Sequence, residues 1–268
     1  MDNGLDSYTL EDGFSFVAKQ RKGGLIWTIF VWLGVFLITL FFGLLVMPFV
    51  LFRASHIIHW FATMWGRTLL LLSGSGVTIR GQEKVYREGP VIFLSNHQSM
   101  FDIGVFYRVL EVAVQFRWMA KSSLFKIPIM GWAMAGAGYI PVERDDRRKA
   151  LQSMFNAAEQ IRLGKSVIIF PEGTRGKPDG ELLTFKKGAF VLAKKADVTL
   201  QPISIWGAHE IMPPQRDKRI QRVKRGHIVV TVHDPIHPAE YEPLSVEELS
   251  NLIRSRIESG MFLESERE

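Results

Sequence analysis

From Gly23 to Phe52 the chain carries no ionisable side chain, and Leu25 to Phe52 is almost continuously apolar, with Trp27 and Trp32 near its start. No other feature constrains the fold as strongly, because a helix that is apolar all round belongs in a membrane or at the centre of a large core. At 1.5 Å per residue the stretch would reach roughly 40 Å as a helix, beyond the roughly 30 Å of a bilayer's hydrocarbon core. It is too long for a secretory signal and lacks a small-residue cleavage site. Lys19, Arg21 and Lys22 precede it and Arg53 follows it, so positive charge does not distinguish its ends. A helical hairpin reconciles the two. The next segment, Ala54 to Leu72, sets Ile57, Ile58, Trp60, Phe61, Met64, Trp65, Leu69 and Leu70 against His56, His59 and Arg67, an interfacial pattern. The expectation is a re-entrant or surface-lying helix pair in preference to a full span, with Pro48 as its bend.

After Ser73-Gly74-Ser75-Gly76 the pattern changes to short β-rich runs alternating with helical ones, so residues 1–73 read as a membrane-anchoring helical segment and 74–268 as an α/β domain. Val91 to Leu94, Phe116 to Met119, Val167 to Phe170, Thr199 to Ile205 and His227 to Val232 are the expected strands. One helix has Ala150, Leu151, Met154, Phe155, Ala158 and Ile161 on one face, with Asp145 or Asp146 as its cap and Gly164 as its terminator. Another begins at Ser245, where Ser245 and Glu248 have the spacing of a capping box. There is no cysteine, which excludes disulfides, thiolate metal sites and a cysteine nucleophile. A formal charge of +6 suits an anionic partner: nucleic acid, an acidic lipid surface or a phosphorylated substrate.

Two expected strands run directly into polar strings. Val91 to Leu94 leads to Ser95-Asn96-His97-Gln98-Ser99-Met100-Phe101-Asp102. A histidine can take a proton from a hydroxyl if a partner fixes its tautomer and stabilises the imidazolium, and Asp102 is placed to do this when it lies in the first helical turn. The alternative is a loop-capping histidine beside a helix-capping aspartate. Val167 to Phe170 leads to Pro171-Glu172-Gly173-Thr174-Arg175. Gly173 lets backbone approach an anion, Thr174 offers a hydroxyl and Arg175 a planar fork for phosphate oxygens. Glu172 reads as orienting Arg175 or accepting backbone N–H bonds, and the alternative for the whole string is a solvated turn. A third string, Gly138 to Arg144, delivers Arg144 just ahead of the long helix, where a helix N-terminus adds to an anion site. Lys121 ends a strand-like run, and Lys186 and Lys187 precede Gly188; each has an ordinary surface reading beside a ligand reading.

Taken together these strings resemble the lysophosphatidate acyltransferase family, the 1-acylglycerol-3-phosphate acyltransferases. Asn96-His97 through Asp102 is similar to the family's His-x-x-x-x-Asp motif, Gly138 to Arg144 to its second block, Phe170 to Arg175 to its Glu-Gly-Thr-Arg block and Leu200-Gln201-Pro202-Ile203 to its short proline block. The resemblance implies an α/β fold with a mixed sheet flanked by helices beside an N-terminal helical anchor. It implies His97 as general base, Asp102 as its orienting partner, and Arg144 and Arg175 as phosphate ligands, with Lys121, Glu172, Gly173 and Thr174 at the substrate site. The implied reaction carries an acyl group from a coenzyme A or acyl-carrier-protein thioester to the sn-2 hydroxyl of lysophosphatidate, with no cofactor, at the cytoplasmic face of the inner membrane. Pro202 is expected at a strand edge on the acyl-chain side of the pocket.

Rival readings remain. The same chemistry could act on glycerol 3-phosphate or a lyso-aminolipid, and a noncatalytic protein could bind anionic lipid through Arg216, Lys218, Arg219, Arg222, Lys224 and Arg225, set against Asp217. Metal chemistry is not expected: His233 and His237 are four apart, but Pro235 and Pro238 oppose a ligand-bearing helix. Gly136 and Gly138 do not make a dinucleotide loop, since Pro141 stands where the third glycine would fall. No Gly-x-Ser-x-Gly elbow occurs, and no nucleic-acid motif or partner is expected.

Overall fold

The long apolar stretch forms one helix, α1 (Leu25–Leu51), and the interfacial segment a second, α2 (Ser55–Ser73), packed on it as a hairpin. The computed structural model describes residues 5–9, 15–19, 24–110, 114–143, 146–214 and 221–261, the first two segments as backbone only. Arg21, Lys22, Arg144, Asp145, Arg216, Asp217, Lys218 and Arg219 lie outside the described residues, as do the side chains of Lys19, Arg147 and Leu151. Contrary to the expectation for Pro48, α1 continues through it to Leu51. The reversal is made by Phe52 and Arg53, the latter at φ 51°. A proline in the last turn removes only one helical hydrogen bond, so it does not force the break. Gly74, left-handed at φ 63°, ends α2 where the sequence changes character.

The five expected strands are all present: β4 (Val91–Ser95), β5 (Phe116–Lys121), β7 (Ser166–Ile169), β8 (Thr199–Trp206) and β9 (His227–Val232). Two more that the sequence did not announce, β3 (Gly76–Arg80) and β6 (Ile140–Val142), extend the sheet to seven strands in the order β3-β9-β8-β4-β7-β5-β6. Every adjacent pair is parallel except β8 with β9, so β3 and β9 run against the other five. A separate hairpin, β1 (Leu5–Thr9) with β2 (Ser15–Lys19), precedes α1.

The buried strands are apolar on both faces, as expected for parallel strands covered by helices. Ile92 and Leu94 of β4 point into one core with α5 (Arg147–Arg162), α6 (Lys187–Ala196) and α7 (Val246–Glu258). Val91 and Phe93 point into the other, with α3 (Asp102–Val109), Leu69 and Leu70 of α2, and Val31 of α1. The inner half of the hairpin therefore forms one wall of the sheet's second core. α4 (Met130–Gly136), in the β5–β6 connection, packs on α1. The caps follow the sequence: Asp146 accepts from the Arg148 and Lys149 backbone N–H, and Ser245 and Glu248 complete a reciprocal box.

Pro202 departs from expectation. It lies in β8, an interior strand, opposite Leu94 of β4. Between the Leu200–Ile236 bridge and the Ile203–Val232 pair, β8 advances three residues while its partner advances four, so the ladder contains a bulge there. Pro202 offers only its carbonyl to that side, accepting from His233 N–H at 3.1 Å. A bulge tolerates the missing N–H of proline as an edge would.

Candidate active site

Parallel pairing of Leu94 with Ile169 makes β4 and β7 end level, so the strings that follow them leave the sheet side by side. Ligands gather at this carboxyl end of an open α/β sheet. The first string folds around a carboxylate. Asp102, fully buried in the first turn of α3, accepts on Oδ2 from His97 Nδ1 at 2.7 Å and from the backbone N–H of Gln98 at 2.7 Å and Ser99 at 2.9 Å. It does not cap its own helix. With Nδ1–H donating to that oxygen, His97 Nε2 carries a lone pair and is the free proton acceptor. The Phe170 ring stacks on the imidazole at 4.1 Å and 13°, fixing its plane.

The second string buttresses the first. Glu172, almost fully buried, accepts from His97 N–H on Oε1 and from Leu183 N–H on Oε2, each at 2.8 Å. Of the two roles the sequence left open, the backbone-accepting one is observed. Burial raises its pKa above the usual carboxylate range, against the opposing effect of those two N–H donors. Gly176 N–H donates to the His97 carbonyl at 2.7 Å, so each string bonds to the other. Asn96, which the sequence reading left without a role, exchanges two bonds of 2.8 Å with the backbone of Ile205 and pins the exit of β4 to β8. An amide between an apolar strand and the histidine was its only signal.

His97, Lys121 and Gly173 lie at the polar part of a cavity of about 330 Å³ whose remaining wall is mostly apolar. Phe42, Gly43 and Val46 of α1, Ile58 and Phe61 of α2, Met130 and Met134 of α4, and Trp118, Tyr139 and Phe170 supply that wall. Pro202 is not part of it, because its strand leaves the sheet on the far side of β4 from β5. Gly173 adopts φ 70°, and the Lys186 ammonium lies so near that a β-carbon on Gly173 would come within 2.8 Å of it. Lys186 thus adds positive charge at the turn, whereas Lys187 faces Glu247 at 3.6 Å. Arg175 is half-buried and donates from Nη1 to Gln221 Oε1 at 3.2 Å, while Thr174 is exposed. Arg144 falls outside the described residues. Of the basic run at 216–225, Arg225 is not simply solvated: its guanidinium lies 4.0 Å over the Trp27 ring.

The arrangement is a base with a fixed tautomer at the polar end of a mostly apolar cavity, flanked by cationic side chains. The family model described as Acyltransferase matches residues 76–206, which span both strings. A chloroplastic 1-acyl-sn-glycerol-3-phosphate acyltransferase of Arabidopsis thaliana is 36% identical over 222 residues, 81% of this chain and 58% of the relative. A 1-acyl-sn-glycerol-3-phosphate acyltransferase of Borreliella burgdorferi is 29% identical over 70% of this chain and 72% of its own length. This chain spans less than two thirds of the chloroplast relative. The crystal structure of the 1-acyl-sn-glycerophosphate acyltransferase of Thermotoga maritima superposes with a TM-score of 0.73 at 27% identity, covering 88% of this chain and 93% of that one. Sequence and fold agree in making the chain similar to the acyltransferases.

Proposed function

We propose that this protein transfers a fatty acyl group from an acyl thioester to the sn-2 hydroxyl of lysophosphatidate, giving phosphatidate. The observation that carries the reading is the His97–Asp102 pair, 2.7 Å apart, opening onto an apolar cavity. His97 Nε2 takes the hydroxyl proton as the oxygen attacks the thioester carbonyl. The new C–O bond forms, the C–S bond breaks and the imidazolium returns the proton to the departing thiolate. Asp102 holds the imidazole and stabilises its charged form, as a buried carboxylate does for a general base. No covalent enzyme intermediate is involved.

The apolar cavity takes acyl chain, and Arg175, Lys121 and Lys186 supply positive charge for the acceptor phosphate. Arg144 is assigned to the same phosphate from its place in the second block, and Gly173 and Thr174 from theirs. Residues 1–73 act as the anchor: α1 is long and apolar enough to cross a membrane, and Ile26, Phe36 and Phe41 are among its exposed side chains. The acyl donor is a coenzyme A or acyl-carrier-protein thioester, and the site works at the cytoplasmic face of the membrane.

The test is turnover in liposomes with both donors and with lysophosphatidate, glycerol 3-phosphate and a lyso-aminolipid as acceptors. Lysophosphatidate is expected to be preferred, and His97→Ala is expected to lose about 10²- to 10⁴-fold in kcat. A wild-type rate in that variant removes the base, and lipid binding without turnover in the parent protein removes the enzyme.

A further inference from the structure

Gln221 lies outside the four blocks of the family pattern, yet it bonds to the membrane helix and to the arginine of the Glu-Gly-Thr-Arg block. Its backbone carbonyl accepts from the Trp32 indole N–H of α1 at 2.9 Å. Its side-chain Oε1 accepts from Arg175 Nη1 at 3.2 Å, and its Nε2 donates to the Pro213 carbonyl at 2.5 Å. A guanidinium only donates and a carbonyl only accepts, so the side chain between them must accept at one end and donate at the other. An amide does both. Rotating it by a half-turn would set donor against donor and acceptor against acceptor, so its orientation is locked.

The residues that follow continue along α1. Val223 N–H donates to Thr28 Oγ1 at 3.2 Å, with both residues buried, and Arg225 covers Trp27. Thr28 and Trp32 are four residues apart and share one face of the helix. Residues 221–225 therefore strap that face to the α/β domain, and the strap begins at the residue holding Arg175.

We propose that Gln221 is a positioning residue, which presets Arg175 for the acceptor's phosphate and makes that preset depend on how α1 is seated. The proposal rests on Arg175 as a phosphate ligand, the reading given above. A neutral acceptor suits the task, because it orients the guanidinium without neutralising it and occupies one of its five N–H donors. A carboxylate at the same place would compete with the phosphate.

The experiment measures kcat and the KM of each substrate for the full chain in lysophosphatidate-containing liposomes. The variants are Gln221→Leu, Gln221→Glu, Arg175→Leu, the Gln221→Leu/Arg175→Leu double variant and Trp32→Phe. Gln221→Leu is expected to raise the lysophosphatidate KM about tenfold, as loss of preorganisation does, leaving the thioester KM unchanged. Gln221→Glu should raise it further and in a salt-dependent way. Trp32→Phe, which removes the indole donor together with part of the ring that packs on the core, should raise it about threefold. Adding Gln221→Leu to Arg175→Leu should change nothing more.

Equal effects on both substrates, or an unchanged acceptor KM in Gln221→Leu while Arg175→Leu raises it, would overturn the positioning role and leave the phosphate reading intact. An unchanged acceptor KM in Arg175→Leu removes the phosphate reading and this proposal with it. Should Gln221→Leu fail to fold, the Glu and Trp32→Phe variants decide the matter: an acceptor KM at the wild-type value in both refutes it.

Discussion

Asp102 takes three N–H donors on Oδ2, while its buried Oδ1 has no hydrogen-bond partner among the described residues. Asp102→Asn can place its oxygen where Oδ2 was and keep the tautomer of His97. It removes the charge that stabilises the imidazolium, so kcat should fall about 10²-fold or more with both KM values little changed. A steady-state comparison checks this. Glu172→Gln is different, because both oxygens accept from backbone N–H groups and an amide must turn a donor toward one of them. A destabilisation of about 1–3 kcal/mol is expected in thermal unfolding. His233 gives a pH signature away from the site. Its Nε2 bonds to Ser204 Oγ at 2.7 Å, and burial, with Arg256 and Lys84 nearby, lowers its pKa from 6.5 to about 4. Between those values the unfolded chain binds the proton and the folded chain does not. Stability is therefore complete above pH 6.5 and declines as pH falls toward 4, by about 3 kcal/mol for a shift of this size. His233→Gln keeps a donor for Ser204 and should flatten that part of the stability–pH curve.

Among the elements, the close crossing of α2 and α3 sets where Asp102 sits. A β-carbon on Gly104 would lie 2.7 Å from the Gly66 carbonyl oxygen and 2.8 Å from Leu70 Cγ, and backbone cannot yield as a flexible side chain can. Gly104→Ala gains about 1 kcal/mol of helix propensity. It should still destabilise, because overpacking costs about 1–3 kcal/mol, and pushing α3 away should also lower kcat. Melting temperature and turnover of the same preparation test both. The elements legible in the sequence were those with a strong local signature: buried apolar runs for β4, β5, β7, β8 and β9, and reciprocal caps for α7. β6 was missed because three residues around an exposed proline make no periodic pattern, and an edge strand tolerates Pro141 there. β3 was missed because its residues are only partly buried and carry Thr78 and Arg80.

For the whole molecule, the α1–α2 hairpin is also part of the core. Val31, Leu69 and Leu70 are buried against the α3 side of the sheet, and each such side chain contributes about 1.5–3 kcal/mol. Their sum is of the order of a domain's entire stability, about 5–15 kcal/mol. A chain of residues 74–268 should therefore lose its cooperative calorimetric transition, even in detergent. A sharp transition at the full-length temperature would show an anchor that is structurally separate.

The sequence alone determined the features that depend on near neighbours. A stretch without charge must avoid water, a histidine and an aspartate five residues apart can meet across one turn, and a capping box needs only four consecutive residues. Tertiary structure alone decided which strings stand together: His97 against Phe170 and Glu172, Trp32 against Gln221, and the cavity between α1, α4 and β5. The reason is physical. Strands buried on both faces present similar apolar surfaces, so strand order is chosen by how the whole set of helices and strands packs, and that order brings the ends of β4 and β7 to one place.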